Sequence, residues 1–485
     1  MALRARLTPP RETKTDWPWH KVKSSSLRAS LLFGGGRRME AENFLASGYG
    51  TRIAIEAKSS GWSPLSTFAR VWQPPRLKGT LVSPEHGKPY LSATQVFDVR
   101  PISRRFLSVG KISEPKLLEV SDGQMLTTRS GSVGRTTLAS SAHLGHIVSD
   151  DLLRIDPRDA SWRGWIYAYL RAPTTREMMK AAQYGHIIKH LETHHMDALP
   201  IVHVSDEQRD AFAARVDEVL DRRTRAHALT LEAERLFEQA FGAFEVRDFG
   251  EEGFAAKASE LFGARRRLDA WHHNPSAKAI ADHLGKAAQS WATVEDLGFD
   301  VWLPTRFKRV AASEGLDLLD SSDLFEVNPD ITKRIADQNF GDPFGARVKA
   351  GWLLLSRSGQ IYGLNGSAMV AGTCHEGKVV SDHIIRIAPN SAKCRVSYLL
   401  MAMTHPTLGR PRVKALPYGS SIPEIEVFDV QRFMVPRLSN AAENEIADRV
   451  EEAARLRDAA DTLESEVASE ADEVISNFLA HRSKA

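Results

Sequence analysis

The sequence predicts an α+β protein of two duplicated heads joined by two long antiparallel coiled-coil helices, related by a pseudo-two-fold axis. Three observations predict it: the chain repeats itself collinearly, each repeat closes on a long amphipathic stripe, and the heads carry short β-prone runs cut by turns. A chain of 485 residues, 42% apolar and 26% charged, is long enough for two or three folded domains and too apolar to default to disorder.

The repeat comes first, because self-similarity decides the architecture before any single element does. Arg38-Met39-Glu40-Ala41 returns as Arg267-Leu268-Asp269-Ala270. Val71-Trp72, Pro74, Arg76 and Lys78 return as Val301-Trp302, Pro304, Arg306 and Lys308. Asp98-Val99-Arg100-Pro101 matches Glu326-Val327-Asn328-Pro329, and Arg129-Ser130-Gly131 matches Arg357-Ser358-Gly359. Val148-Ser149-Asp150, Tyr184-Gly185 and Arg215-Val216 match Val380-Ser381-Asp382, Tyr418-Gly419 and Arg449-Val450. The offset drifts from about 228 to 234, as short loop insertions would make it do. The expected division is a basic extension over 1–37, heads over 38–203 and 267–437, long helices over 204–245 and 438–485, and a linker over 246–266.

The helices follow from periodicity. Ile446, Val450, Ala453, Leu456, Ala460, Leu463, Val467, Ala471, Val474 and Phe478 step by three or four, and Phe212, Val216, Val219, Ala226, Leu229, Ala233, Leu236 and Ala240 do the same. Ser205 and Ser439 stand where N-caps belong. At 1.5 Å per residue each rod would be roughly 50–60 Å long, too long to bury its stripe on one small head. Each helix needs another, and the duplicate supplies it. Arg222-Arg223 interrupts the first stripe, which points to a partner contact or a local opening. In the heads, Gln124–Thr128, His146–Ser149, Trp352–Ser356 and Lys378–Ser381 read as strands. Trp162–Ala172 and Ser397–Thr404 read as buried helices.

Composition excludes several functions. No apolar run is long enough to span a bilayer. The two cysteines, Cys374 and Cys394, sit in no metal-binding spacing, and their scarcity fits a reducing cytoplasm. Residues 1–38 carry only Glu12 and Asp16 as acids and read as a flexible basic tail, with a transit-peptide-like composition as the alternative. Net charge is +3, yet residues 441–480 hold twelve acids and three bases, so that stretch carries −9 and the rest +12. A basic body beside an acidic helix permits nucleic-acid binding by the basic part.

At this point the residues resemble the specificity subunits of type I restriction–modification systems. The resemblance rests on Pro89–Thr94, Arg129-Ser130-Gly131-Ser132-Val133-Gly134-Arg135, Val148-Ser149-Asp150 and Tyr184-Gly185-His186 to Leu199-Pro200, followed by a long helix. The second half follows the pattern more loosely, and the resemblance covers about 38–480. It implies two target-recognition domains separated by paired helices, and no catalytic site. It implies double-stranded DNA, two copies of an adenine-N6 methyltransferase subunit and, in some complexes, a nuclease–translocase subunit as partners. S-adenosylmethionine would bind the partner, and the setting would be a prokaryotic cytoplasm. Two departures stand out. Residues 1–37 are an addition, and the second head lacks the glycine corresponding to Gly134: the stretch after Gly359 reads Gln360-Ile361-Tyr362-Gly363, so that loop differs by one residue.

Reading base edges and gripping phosphates needs Arg, Lys and small polar side chains in exposed loops. The first head offers Arg76, Lys78, Arg104, Arg105, Arg129, Ser130, Arg135 and Lys189. The second offers Arg306, Lys308, Arg309, Arg357, Ser358, Arg410, Arg412 and Lys414. On the helices, Phe212, Val216, Leu229, Ile446, Val450, Leu463 and Val467 are expected to serve the helix pair and partner docking. Each has a plainer reading as a solvated edge, a tight-turn residue or core. His186, Lys189, His190, His194 and His195 form a histidine-rich stretch that lacks metal-ligand spacing and reads as surface.

Enzyme motifs are poor. Asp342-Pro343-Phe344 lacks the second proline of a methyltransferase motif, Phe33-Gly34-Gly35-Gly36 lacks a strand–turn–helix setting, and there is no P-loop. The enzyme alternative is a metal-dependent nuclease built on Ile55-Glu56-Ala57-Lys58. Its duplicate, Leu284-Gly285-Lys286 before Trp291, places Glu56 and Lys58 on a helix instead. A non-reading assembly scaffold is the remaining alternative.

Overall fold

The computed structural model describes residue 44 and residues 47–77, 79–112, 114–182, 189–245, 253–263, 267–337, 341–342 and 345–481. The basic extension, Lys78, Tyr184-Gly185-His186, Phe33–Gly36 and Pro343-Phe344 lie outside them.

Each half builds the same head. In the first, helix α1 (Ser47–Glu56) precedes a sheet of four strands: β1 (Ala69–Trp72), β2 (Met125–Thr128), β3 (Thr136–Leu138) and β4 (Leu152–Pro157). Helices α2 (Arg163–Arg171) and α3 (Pro173–Ala182) follow, and then the long α4 (Asp206–Phe241). In the second, α5 (Pro275–Gly285) precedes β5 (Phe299–Trp302), β6 (Leu353–Ser356), β7 (Ala368–Val370) and β8 (Ile384–Pro389). Helices α6 (Val396–Thr404), α7 (Arg410–Lys414) and the long α8 (Asn440–Ala480) complete it. The strand orders are β1-β4-β2-β3 and β5-β8-β6-β7, all antiparallel. Each head is also closed at its base by a two-stranded ribbon, Trp62–Pro64 with Pro200–Val202 and Ser290–Thr293 with Met434–Arg437. The duplication read in the sequence is therefore a duplication of topology.

One buried arginine per head explains why the Val-Ser-Asp signature repeats. Arg154 on β4 donates to the carbonyls of Val148, Ser149 and Leu152, and Arg386 on β8 to those of Val380, Ser381, Ile384 and Ala346. Both are fully buried. A buried guanidinium is costly unless its donors are met, and here backbone carbonyls meet the terminal nitrogens of both side chains. The signature is a structural socket.

The glycine departure needs correction. Gly134 (φ +78°) and Gly366 (φ +74°) occupy the same place: each amide donates back to the last residue of the preceding strand, Thr128 and Ser356. An added Cβ would lie 3.2 Å from Met179 in one head and 3.0 Å from Val413 in the other. The second head keeps the glycine, after a turn four residues longer.

The long helices run antiparallel. As α4 proceeds through Arg215, Arg223, Thr230 and Glu232, the partners on α8 fall from Glu470 through Glu464 and Arg457 to Arg449. Ser205 and Ser439 cap their starts by accepting the amides of Gln208 and Ala442. The heads sit at opposite ends of the pair. The first core takes in Phe212 and Val216 from α4 with Val467, Ala471 and Ile475 from α8. The second takes in Ala233, Phe237 and Phe241 from α4 with Ile446, Ala447 and Val450 from α8. Between them Ala226, Leu229, Ala453 and Leu456 pack helix on helix.

The heads also touch each other. Val99 N–H donates to the Phe325 carbonyl at 2.7 Å and Val327 N–H to the Phe97 carbonyl at 2.6 Å, making an antiparallel bridge between Asp98 and Glu326. These are the residues that the repeat equates, so the pseudo-two-fold axis passes between them. Arg135–Glu326 (2.9 Å) and Arg176–Asp330 (2.6 Å) flank the bridge.

Candidate nucleic-acid interface

The loops that leave β1 and β5 after Trp72 and Trp302 carry cations into solvent. Arg76, Arg306, Lys308 and Arg309 are exposed. Arg306 is 89% exposed and stands 3.8 Å from Asp382, which Arg309 also contacts. Arg104 and Arg105, at the start of a short strand of the first head, are exposed as well. These six are the candidate cations that present to the surface in the described residues, and both heads contribute.

The remaining candidates are engaged within the chain. Arg129 is ion-paired with Glu192 and lies 3.7 Å from Asp151, and its backbone is held by Asp151 and Leu191. Ser130 Oγ bonds His190 Nδ1 at 2.9 Å. The second head repeats the device: Arg357 pairs with Glu424 at 2.7 Å, and Ser358 Oγ bonds His383 Nδ1 and Glu424 at 3.0 Å each. The Arg-Ser-Gly turn thus plugs into a returning segment, and its arginine serves that plug.

Three further expectations are corrected by burial. Arg135 is 6% exposed, paired with Glu326 and stacked 4.0 Å over Phe97 at the head–head contact. Arg412, 7% exposed, donates to the Met434 carbonyl and lies over Phe433 and Trp291. Lys414 reaches the carbonyls of Ile361, Gly363 and Asn365, pinning the longer turn of the second head. Burial, reinforced by Arg410 and Arg104, pushes its pKa down to about 6. Arg410 is itself drawn inward, and burial lowers it to about 10. Lys189 is half-buried and interacts within the chain.

The helix stripe is likewise spent on the chain's own cores. Phe212, Val216, Ile446, Val450 and Val467 are buried in the two head cores, Leu463 packs at the edge of the first, and Leu229 packs on the helix-on-helix cluster between them. None is left as a docking face. The Arg222-Arg223 interruption is not a local opening. Arg223 inserts between the helices, 2.6 Å from Glu464 and 2.9 Å from Asp461, while Arg222 donates to the Ala459 carbonyl at 2.9 Å. Glu464 also accepts from Tyr167 of the first head and Asn328 of the second. Helices and heads therefore share one buried carboxylate, whose pKa burial pushes up to about 8.

Near the axis, burial raises the Asp98 carboxyl to about 7, opposed by Arg104 and assisted by Glu326. The nuclease constellation does not assemble: Glu56 pairs with Arg52 at 2.7 Å, and Lys58 donates to the His481 carbonyl. In the histidine-rich stretch, His195 Nδ1 caps the Glu192 amide and His190 serves Ser130. Among the described residues, one group with metal-ligating atoms in mutual reach exists elsewhere: Cys374, His375 and Asp458. The last of these is eighty-odd residues from the other two, so sequence spacing gave no sign of it. No described helix is long and apolar enough to cross a membrane.

No family model and no curated protein matches the chain. Solved structures align with it over most of its length, among them the following three. The type I restriction–modification S subunit of M. genitalium is 11% identical, covers 88% of this chain and 98% of its own, and has a TM-score of 0.32. The HsdS subunit of Thermoanaerobacter tengcongensis is 13% identical over 87% and 97%, at 0.26. A third, from work on complex assembly and conformational transition of a type I system, is 14% identical over 86% and 97%, at 0.27. The chain is similar to type I S subunits. At these scores its own architecture rests on its strand order and helix pairing.

Proposed function

We propose that the chain is a non-catalytic DNA-sequence-specificity subunit that reads a bipartite target and directs a partner adenine-N6 methyltransferase to it. The observation that carries this reading is the pseudo-two-fold pairing of two topologically equal heads, each carrying exposed cations after the same strand. A bipartite duplex site has matching geometry: two short sequences, set apart along the groove, met by two readers of related shape. Arg76, Arg104 and Arg105 serve the first half-site and Arg306, Lys308 and Arg309 the second, as phosphate grips or base readers. With the stripes spent inside, the partner docks on the outward faces of α4 and α8, where Leu231 is half exposed. S-adenosylmethionine binds the partner.

The test exchanges residues 267–437 for the corresponding head of another specificity subunit and maps methylated sites with the methyltransferase present. The expected result is a motif in which one half changes and the other persists. A motif altered in both halves, or in neither, refutes the modular reading.

A further inference from the structure

We propose that Cys374, His375 and Asp458 bind one divalent cation of the zinc class, tying the second head to α8. Three ligand atoms of suitable type lie within 4.8 Å of one another: a thiol sulfur, an imidazole nitrogen and a carboxylate oxygen. Cys374 Sγ stands 3.1 Å from His375 Nδ1. A tetrahedral ion about 2.3 Å from sulfur and about 2.0 Å from nitrogen holds such a pair roughly 3.5 Å apart, so closure needs only tenths of an ångström. This donor set suits zinc rather than magnesium or calcium, which take oxygen.

The carboxylate is already aimed. Asp458 accepts the amides of Thr373 (3.0 Å) and Cys374 (2.9 Å) and the Thr373 hydroxyl, which fixes its orientation as outer-shell donors do at metal sites. Gly372 makes room for it: a Cβ there would lie 2.7 Å from Asp458 Oδ1. That glycine has an ordinary φ of −90°, so space and not backbone conformation requires it.

The first head shows what the fold needs without an ion. There the same turn runs Ser140, Ser141, Ala142, His143, and Thr224 stands on α4 where α8 has Asp458. His143 is fully committed, Nδ1 accepting the Ser140 amide at 2.9 Å and Nε2 facing the Val96 carbonyl at 3.0 Å. In the second head the Gly372 amide is 3.3 Å from His375 Nδ1, a looser hold on the lone pair a metal would take. The duplicate therefore folds with alanine and threonine at two of the three positions, and the cysteine, the aspartate and the glycine are additions. They also face space. A cavity of about 620 Å3 between the heads and α8 is lined by Cys374, His375 and Asp458, while the equivalent place beside Ala142 and His143 holds about 30 Å3. Three protein ligands with a fourth position open to that cavity leave room for water.

The test uses the full-length chain, stripped with a chelator and titrated with cobalt(II), whose thiolate charge-transfer absorption reports a cysteine ligand, then with zinc. One equivalent should raise the band and zinc should abolish it, with an upward shift in melting temperature. Cys374→Ala and Asp458→Thr install the residues that the first head already carries. Cys374→Ala should eliminate the band, and Asp458→Thr should weaken binding by more than the ~10–100-fold typical of losing an outer-shell partner. Cys394→Ala should change neither. A wild-type chain without the band, a band lost in Cys394→Ala but kept in Cys374→Ala, or unchanged affinity in Asp458→Thr overturns the site.

Discussion

Removing Arg223 should loosen the helix pair by a predictable amount. Its side chain is 8% exposed and that of Glu464 is 2%, so neither charge is solvated. Breaking a buried pair by deleting one partner costs about 3–5 kcal/mol where the other group stays charged, so the comparison is made above pH 8, where Glu464, raised by burial to about 8, is ionised. Glu464 would retain its contacts with Tyr167 and Asn328, and Arg171 lies 3.9 Å away, which places Arg223→Ala near the lower end, at ~3 kcal/mol. Every 1.4 kcal/mol is tenfold, so amide hydrogen exchange along 216–230 should quicken on the order of a hundredfold if it proceeds through opening of the pair. Arg223→Met with Glu464→Gln removes both charges and should recover most of the protection, since an apolar replacement of a buried pair is often near neutral. If Arg223→Ala changes exchange less than about fivefold, near the ~1 kcal/mol ceiling of an exposed pair, the lock is not buried in solution and the reasoning fails.

Three other outcomes follow from the same geometry. Arg306→Gln with Lys308→Gln should lower the slope of log affinity against log salt by about 1.8, at ~0.9 per lost phosphate contact, with the melting temperature unchanged; an unaltered slope removes these residues from the interface. Asp98, raised by burial to about 7, favours the folded chain fully below its unfolded value near 3.8, and that contribution is lost as pH rises toward 7. Asp98→Asn should therefore flatten melting temperature against pH between about 4 and 7, and equal slopes in both proteins would count against a buried Asp98. Gly366→Ala places a Cβ at positive φ 3.0 Å from Val413 and should cost about 1–3 kcal/mol, read as a fall in melting temperature of several degrees; no fall would mean the turn relaxes freely.

Periodicity and self-similarity were legible because they are set by many residues at once. The stripe from Ile446 to Phe478 survives any single exception, and the repeat survives the four-residue insertion in one turn. The helices, their caps and their antiparallel pairing followed from that redundancy. The site residues were less legible, because arginine has the same letter whether it meets a phosphate or a carboxylate. Arg129 and Arg357 meet Glu192 and Glu424, residues 63 and 67 positions away, and no local pattern announces either pairing. Arg412 and Lys414 read as a basic loop by composition, yet helix α7 turns Arg412 against Trp291 and Lys414 into the carbonyls of residues 361, 363 and 365. Exposure is a tertiary property, and in the loops after Trp72 and Trp302 the described residues Arg76, Arg306, Lys308 and Arg309 stay exposed.

The head–head bridge alters how a half-site spacing can be set. If the helices alone held the heads apart, lengthening α8 would simply move the second head outward. Four residues inserted near Arg457 add ~6 Å and about 40° beyond a full turn. The bridge at Asp98 and Glu326 tolerates neither. Its two hydrogen bonds, at 2.7 and 2.6 Å, connect residues beside the axis, and Arg135–Glu326 and Arg176–Asp330 would separate with it. Arg457 itself lies against Thr230 at the middle of the pair, so the insertion would also shift the register of the lock around Arg223. Rod and bridge are two constraints on one distance. A longer rod with an intact bridge must bow or unpair, and a broken bridge with an intact rod leaves each head held only by its own end of the helix pair. The spacing between the two reading surfaces is fixed where both constraints agree.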